Sequence, residues 1–286
     1  MSKIVDPFTL NQWYAVRTEN KNGPDRTHRT RLLGVDIICQ DDENGQVSIR
    51  RLDRTESQDS ELPSRKRYGL VWTSLGMPES GIFEMPETEE EGRRHFVWDA
   101  VTVKTSGLRA IENFLDLAHF PYVHSGILGE EPLTEVTDYQ VERINNEIWV
   151  KDCSFHQPKA AAIAEEGIHV NYIYRVPHPF VSILYKTCPL FPEKFDVIAL
   201  MVLPREEDVC DIYTTASLFD NVNTDVEILH FQQKIFLQDR LILENQVPKL
   251  LPLGGRSEVS VRADAASIAY RRWLLDNGLS YGACTG

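Results

Sequence analysis

Residues 223–248 read NTDVEILHFQQKIFLQDRLILENQVP, and this run decides the fold because it forms one helix long enough to cross a core. Asn223 or Thr224 supplies the capping oxygen, and Pro248 closes the far end. At about 100° per residue, Asp239 shares its face with Gln232, Ile235, Phe236, Ile242, Leu243 and Gln246. That face is an apolar wall carrying one acid. A carboxylate is expensive to bury unless it is paired or binds metal, so Asp239 is a candidate ligand; the alternative is a solvated Asp on an exposed face. His230 points the opposite way and is excluded as a ligand.

The segments around this helix are strand-like. IWVKDCSF (148–155), IHVNYIYRV (168–176), VSILYKTCPL (181–190), DVIALMVLP (196–204) and DIYTTASLF (211–219) alternate or run apolar. They predict one curved antiparallel sheet with the Asp239 helix laid across its concave face, an α+β helix-grip arrangement. The pattern divides near residue 80: residues 1–80 carry short strands with polar turns, and residues 81–286 form the larger unit. In LLGVDIICQDDENGQVSIRRL (32–52), Asn44-Gly45 marks a hairpin turn. The acidic run in MPETEEEGRRHF (85–96) reads as a solvated linker or partner-facing loop, and PKAAAIAEEGI (158–168) as a mobile helix or lid.

The chemistry is concentrated in ENFLDLAHFPYVHSGILG (112–129). Ser106 can cap a helix whose apolar residues Leu108, Ile111, Phe114, Leu115 and Ala118 share one face, and Pro121 ends it. Asn113, Asp116 and His119 then fall together on the other side. His124 lies past the proline, where the chain can turn back, so the two histidines could converge on one metal. Two histidines five apart are, taken alone, more often packed or surface residues. Their company shifts the reading: an Asp beside a ligand His fixes its tautomer and raises its basicity. Two neutral imidazoles and one carboxylate make the facial triad that holds non-haem Fe(II) with positions open for oxygen.

The pattern N-x-x-D-x-x-H-x-x-x-x-H, then QDRLILENQ (238–246) and SVRADAASIAYRRWL (260–274), resembles the catalytic subunit of Rieske-type non-haem iron oxygenases. The branch it most resembles is the vanillate O-demethylase branch. LNQWYAV (10–16) and YGLVWTSLG (68–76) extend the resemblance over nearly the whole chain. It implies His119, His124 and Asp239 as ligands of a mononuclear Fe(II). It also implies that Asp116, with Asn113 beside it, relays electrons into the site, and it implies the same helix-grip fold.

A Rieske cluster needs a C-x-H motif paired with a C-x-x-H motif; this chain has no C-x-H, so its lone C-x-x-H run, Cys153 to His156, is unpaired. Its five cysteines, Cys39, Cys153, Cys188, Cys210 and Cys284, share no short spacing. The polar stretch RTESQDSELPSRK (54–66) runs straight into YGLVWTSLG where the family holds its cluster hairpins, so residues 1–80 read as a truncated Rieske-like β remnant. That departure narrows the resemblance to the methylxanthine N-demethylases of bacterial caffeine breakdown, nearest the subunit acting on the N7-methyl group. The implied reaction is O2-dependent oxidative N-demethylation, releasing formaldehyde. Electrons would come from NAD(P)H through a partner reductase bearing the Rieske [2Fe-2S] cluster, within a trimer-based hetero-oligomer. Gln232 and Gln246 are the expected amide partners for a xanthine edge, or else ordinary surface glutamines; Phe236 and Leu243 complete the expected substrate wall.

Composition sets the outer bounds. With 286 residues, 42% of them hydrophobic, the chain can bury one large core with a smaller appended unit. A formal charge of −13 argues against nucleic-acid or anionic-membrane partners. The start MSKIVDPFTLNQWY lacks the pattern of a signal peptide, no apolar run reaches spanning length, and the cysteines fit a reducing compartment, so a cytoplasmic protein is expected. Cys284 can be exposed near the terminus; the other four read as core residues. Three competing readings remain: a degenerate structural subunit of a related complex, a demethylase of another aromatic methyl-bearing substrate, and a metal-free small-ligand carrier.

Overall fold

The computed structural model describes residues 5–19, 26–53, 60–159, 167–254 and 258–284. In chain order the elements are α1 (Pro7–Leu10), β1 (Tyr14–Thr18), β2 (Thr27–Leu32), β3 (Val35–Asp41), β4 (Val47–Arg51), β5 (Glu61–Leu62), β6 (Ser64–Arg67) and β7 (Leu70–Thr73). There follow β8 (Arg94–Val103), α2 (Gly107–Leu115), α3 (Phe120–Val123), β9 (Gln140–Ile144), β10 (Glu147–Gln157), β11 (Ile168–His178), β12 (Val181–Thr187), β13 (Phe195–Glu206) and β14 (Val209–Leu218). The chain closes with α4 (Asp225–Asn245), β15 (Leu251–Pro252), α5 (Ala265–Asp276) and β16 (Ala283–Cys284).

Seven strands make the main antiparallel sheet, ordered β8-β14-β13-β12-β11-β10-β9. Its sequence patterns follow from what covers it. β13 is buried on nearly every residue, because α2 lies on one side while β1 and β2 pack from the N-terminal region. β10 and β11 alternate buried and half-exposed residues, as strands covered on one face do. A bulge in β10 near Asp152, whose φ is +59°, shifts the register so that Val150, Cys153, Phe155 and Gln157 all face inward.

The N-terminal strands form a four-stranded sheet, β2-β3-β4-β5, and a three-stranded one, β1-β7-β6. The expected hairpin turn is present: the Asp42 carboxylate accepts from the Asn44 and Gln46 amides at 2.9 and 2.7 Å, and Gly45 takes φ +77°. One continuous core runs from Trp13 through Leu70 and Val103 to Ala283, joining these strands to the main sheet. The Leu33 and Gly34 amides donate to the Pro204 and Arg205 carbonyls at the end of β13. Cys39, Cys153, Cys188 and Cys210 are buried and Cys284 is partly exposed.

Two local expectations change, and a third falls largely outside the described residues. The 85–96 segment is anchored rather than a free loop: Met85 is buried, and the Arg93 guanidinium donates to the Phe195 and Ser217 carbonyls at 2.7 and 3.0 Å. Arg94 already begins β8. Most of the segment proposed as a lid, residues 160–166, lies outside the described residues. The helix expected from Ser106 to Pro121 ends at Leu115 and resumes as the single turn α3. Among the described residues, no helix is long and apolar enough to cross a membrane.

Candidate metal centre

α2 starts where Ser106 accepts from the Leu108 amide and its hydroxyl donates to the Gly282 carbonyl at 2.6 Å. It stops at Asp116, whose short side chain accepts from the Ala118 amide at 2.8 Å and so draws the backbone out of helical geometry. Pro121 then occupies the first turn of α3, where a missing N–H costs nothing; it opens a helix instead of ending one. His119 caps that turn at its start and His124 at its end. A side chain at Gly129 would meet the Pro121 nitrogen at 2.8 Å and Phe155 at 2.9 Å, so only a glycine lets the following loop close beneath α3.

Thr224 caps α4 in a reciprocal box with Glu227, accepting from its amide at 3.3 Å and returning its own amide to the Glu227 carboxylate at 2.8 Å. Asp239 comes from the middle of this helix and meets the two histidines. The Nε2 atoms of His119 and His124 lie 3.1 Å apart, and Asp239 Oδ1 is 3.3 Å from the first and 3.0 Å from the second. One ligand atom from each of the three residues falls within 4.8 Å of the others.

Protons decide what this cluster can do. The Asp116 carboxylate can only accept, so His119 Nδ1–H donates to it at 3.1 Å. The Gln238 carbonyl oxygen likewise takes the Nδ1–H of His124 at 2.9 Å. Both Nε2 atoms are then bare lone pairs aimed at one point, and Asp239 Oδ1, buried there, has no hydrogen-bond partner. Three acceptors converging without a donor are unfavourable unless a cation or proton sits among them, so the donor set fits a divalent metal such as Fe(II). Without one, burial pulls His119 down, but Asp116 and Asp239 outweigh it and raise the ring to about 9. Burial pushes Asp239 up, but the two imidazoles hold it down at about 2.

Behind α2, an ion network holds the ligand segment in place. Arg109, 1% exposed, pairs with Glu112 at 3.1 Å and with Glu258 at 2.6 Å, and Arg271 of α5 grips both acids from the other side. Glu112 immediately precedes Asn113, so α5 fixes the start of the site. Removing one partner of such a buried network costs about 3–5 kcal/mol.

Two adjoining cavities meet at Asn113, Phe114, Gln232 and Asp239. One, about 580 Å³ including its mouth, also touches His119 and His124; the other, about 790 Å³, is lined by Phe236 and Leu243. Gln246 lines neither cavity: α4 ends at Asn245, and Gln246 turns away with ψ 139°. Ile242, expected on the Asp239 wall, is 48% exposed at its edge. Gln238, Gln157, Tyr172 and Lys186 were not singled out from the sequence; the last three sit on the sheet side of the first cavity. Strand alternation around Tyr172 and Lys186 is the signal that could have found them.

Residues 103–276 match the vanillate O-demethylase oxygenase C-terminal domain. This chain belongs to the vanillate O-demethylase family of Rieske-type oxygenases. It is 44% identical, over 98% of both chains, to a probable methylxanthine N7-demethylase NdmC of Pseudomonas sp. (strain TJI-51). It is 28% identical to the methylxanthine N1-demethylase NdmA of Pseudomonas putida, over 73% of this chain and 58% of that one. The fold matches NdmA of Pseudomonas putida CBB5 with caffeine at a TM-score of 0.77 and 18% identity, covering 94% of this chain and 90% of the other. The family is one of demethylases and monooxygenases, and this chain is an oxidoreductase of that kind.

Proposed function

We propose that this chain is the oxygenase component of a methylxanthine N-demethylase, acting on the N7-methyl group of 7-methylxanthine. The observation that carries the reading is the similarity to NdmC along 98% of both chains, in a protein whose three ligand atoms converge beside a cavity. His119, His124 and Asp239 would hold one Fe(II), which supplies oxygen activation when bound. One oxygen atom enters the methyl carbon and the other leaves as water, using two electrons and two protons. The resulting hemiaminal collapses to the ring N–H and formaldehyde.

The protein's own residues prepare that step. Asp116 and Gln238 keep both histidines in the tautomer that presents Nε2. Phe236 and Leu243 keep the neighbouring space apolar, and Gln232 offers an amide to the substrate. The Asp116 side chain is 29% exposed, so it connects His119 to the surface where a donor can approach. The chain has no C-x-H motif to pair with its lone C-x-x-H at Cys153 and His156, so its electrons come from a Rieske cluster on a partner reductase fed by NAD(P)H, within a trimer-based assembly.

The test is formaldehyde release from a methylxanthine panel, with iron-loaded chain, NAD(P)H and a Rieske-bearing reductase. The expected result is formaldehyde and xanthine in equal amounts from 7-methylxanthine. Failure of every methylxanthine with that reductase present refutes the substrate assignment; repeated turnover without any Rieske protein refutes the partner assignment.

A further inference from the structure

The sheet side of the metal-site cavity carries three polar side chains that the reaction does not use. Gln157 ends β10, Tyr172 lies in β11 and Lys186 in β12, with Tyr172 and Lys186 directly paired across the strands. Strand alternation turns all three to the concave face, among Phe155, Tyr174 and Leu184. Each is more than nine-tenths buried: Gln157 is 1% exposed, Tyr172 2% and Lys186 8%. The Gln157 amide nitrogen donates to the Tyr172 hydroxyl, which leaves its carbonyl oxygen buried with no partner. An orphaned acceptor in a cavity is costly unless a ligand supplies the donor.

We infer that Gln157 and Lys186 form the specificity edge of this site, reading an unmethylated ring N–H and the carbonyl beside it on the substrate. Gln157 Oε1 takes the N–H and Lys186 Nζ donates to the carbonyl oxygen, while Tyr172 fixes the Gln157 amide. Burial pushes Lys186 down to about 8, with Asp196 opposing, so the ammonium persists at neutral pH. This inference rests on the methylxanthine reading and sharpens it. The metal ligands come from α3 and α4, so a purine with its N7-methyl directed at them can present the opposite ring edge to the sheet. That edge is an N–H, carbonyl, N–H sequence in 7-methylxanthine, and both N–H groups are methylated in caffeine. A site built to hydrogen-bond a ring N–H rejects the analogue lacking it, because the protein group is left unpaired.

The experiment is titration of the zinc-loaded chain, which cannot turn over, with 7-methylxanthine, theobromine, paraxanthine and caffeine, followed by calorimetry. The expected result is 7-methylxanthine bound at least about 100-fold more tightly than caffeine, with the singly blocked edges between. Gln157→Leu should remove about tenfold or more of that preference and leave caffeine binding nearly unchanged, whereas Lys186→Met should weaken all four ligands by about tenfold, since each keeps the carbonyl. Lys186→Arg should restore part of that affinity. Equal affinity of the wild-type chain for 7-methylxanthine and caffeine overturns the inference without any variant. So does an unaltered preference in folded Gln157→Leu or an unaltered affinity in folded Lys186→Met, and in each case methylxanthine binding itself still stands. Binding of none of the four overturns the substrate reading together with this one.

Discussion

The two walls of the cavity are built on opposite principles. On the helix wall, the two histidines are tied from behind: His119 to Asp116, and His124 to Gln238. What they present forward is bare acceptor atoms, gathered with Asp239 at one point. On the sheet wall, Gln157 and Tyr172 are tied to each other, and a single acceptor is left over facing the cavity. The first arrangement calls for a cation and the second for a donor on an organic ligand. On the proposed reading, metal binding falls to the helix wall and recognition of the ring edge to the sheet wall, so changes at Gln157 or Lys186 should leave metal binding intact.

The largest effect should come from the helix wall. His124→Ala or Asp239→Ala removes one of three ligand atoms, so iron and measurable turnover disappear together while the chain stays folded. Metal analysis beside circular dichroism checks both. Asp116→Asn comes next: iron content stays near wild type, because Asp116 is no ligand, whereas turnover with the Rieske partner falls by about 100-fold. Normal turnover in that variant would route the electrons elsewhere. Gln238→Leu frees the outer nitrogen of His124 and should weaken metal binding by about tenfold, read by competition with a chelator. Unchanged affinity would make the Gln238 contact incidental.

The smallest effect is the pH dependence of metal uptake. In the metal-free protein His119 is raised from 6.5 to about 9, so at neutral pH an incoming ion must displace its proton. Affinity should climb by about tenfold per pH unit from 7 and flatten near 9. Stability of the metal-free chain runs the other way. A folded value above the ordinary one gives stabilisation that is complete below about 6.5 and is lost as pH rises through 9. A metal affinity that does not change across this range would contradict the raised His119 value in the metal-free protein.

Much of the helix wall was legible in the sequence. Asp239 stands out as one acid in an apolar stripe, and His119 and His124 by their spacing around Pro121. The break between α2 and α3 was not, because helical periodicity runs smoothly through Asp116; the turn formed by its own side chain with Ala118 wins over that periodicity. Gln246 fits the helical stripe yet misses the cavity, because α4 ends one residue before it. The sheet wall was hidden for another reason. Gln157 faces inward only through the bulge near Asp152, and a bulge cannot be read from alternation. Lys186 alternates inward in VSILYKT, and a lysine on the inward stripe of a strand is itself a signal in the sequence.

The most direct test of the central claim is iron and acid-labile sulfide measured on the purified chain after anaerobic loading with Fe(II). The account predicts one iron per chain and no sulfide, since one triad is assembled and the cluster's motif pair is incomplete. Stoichiometric sulfide, or iron fully retained when Asp239 is replaced by Ala, would contradict it.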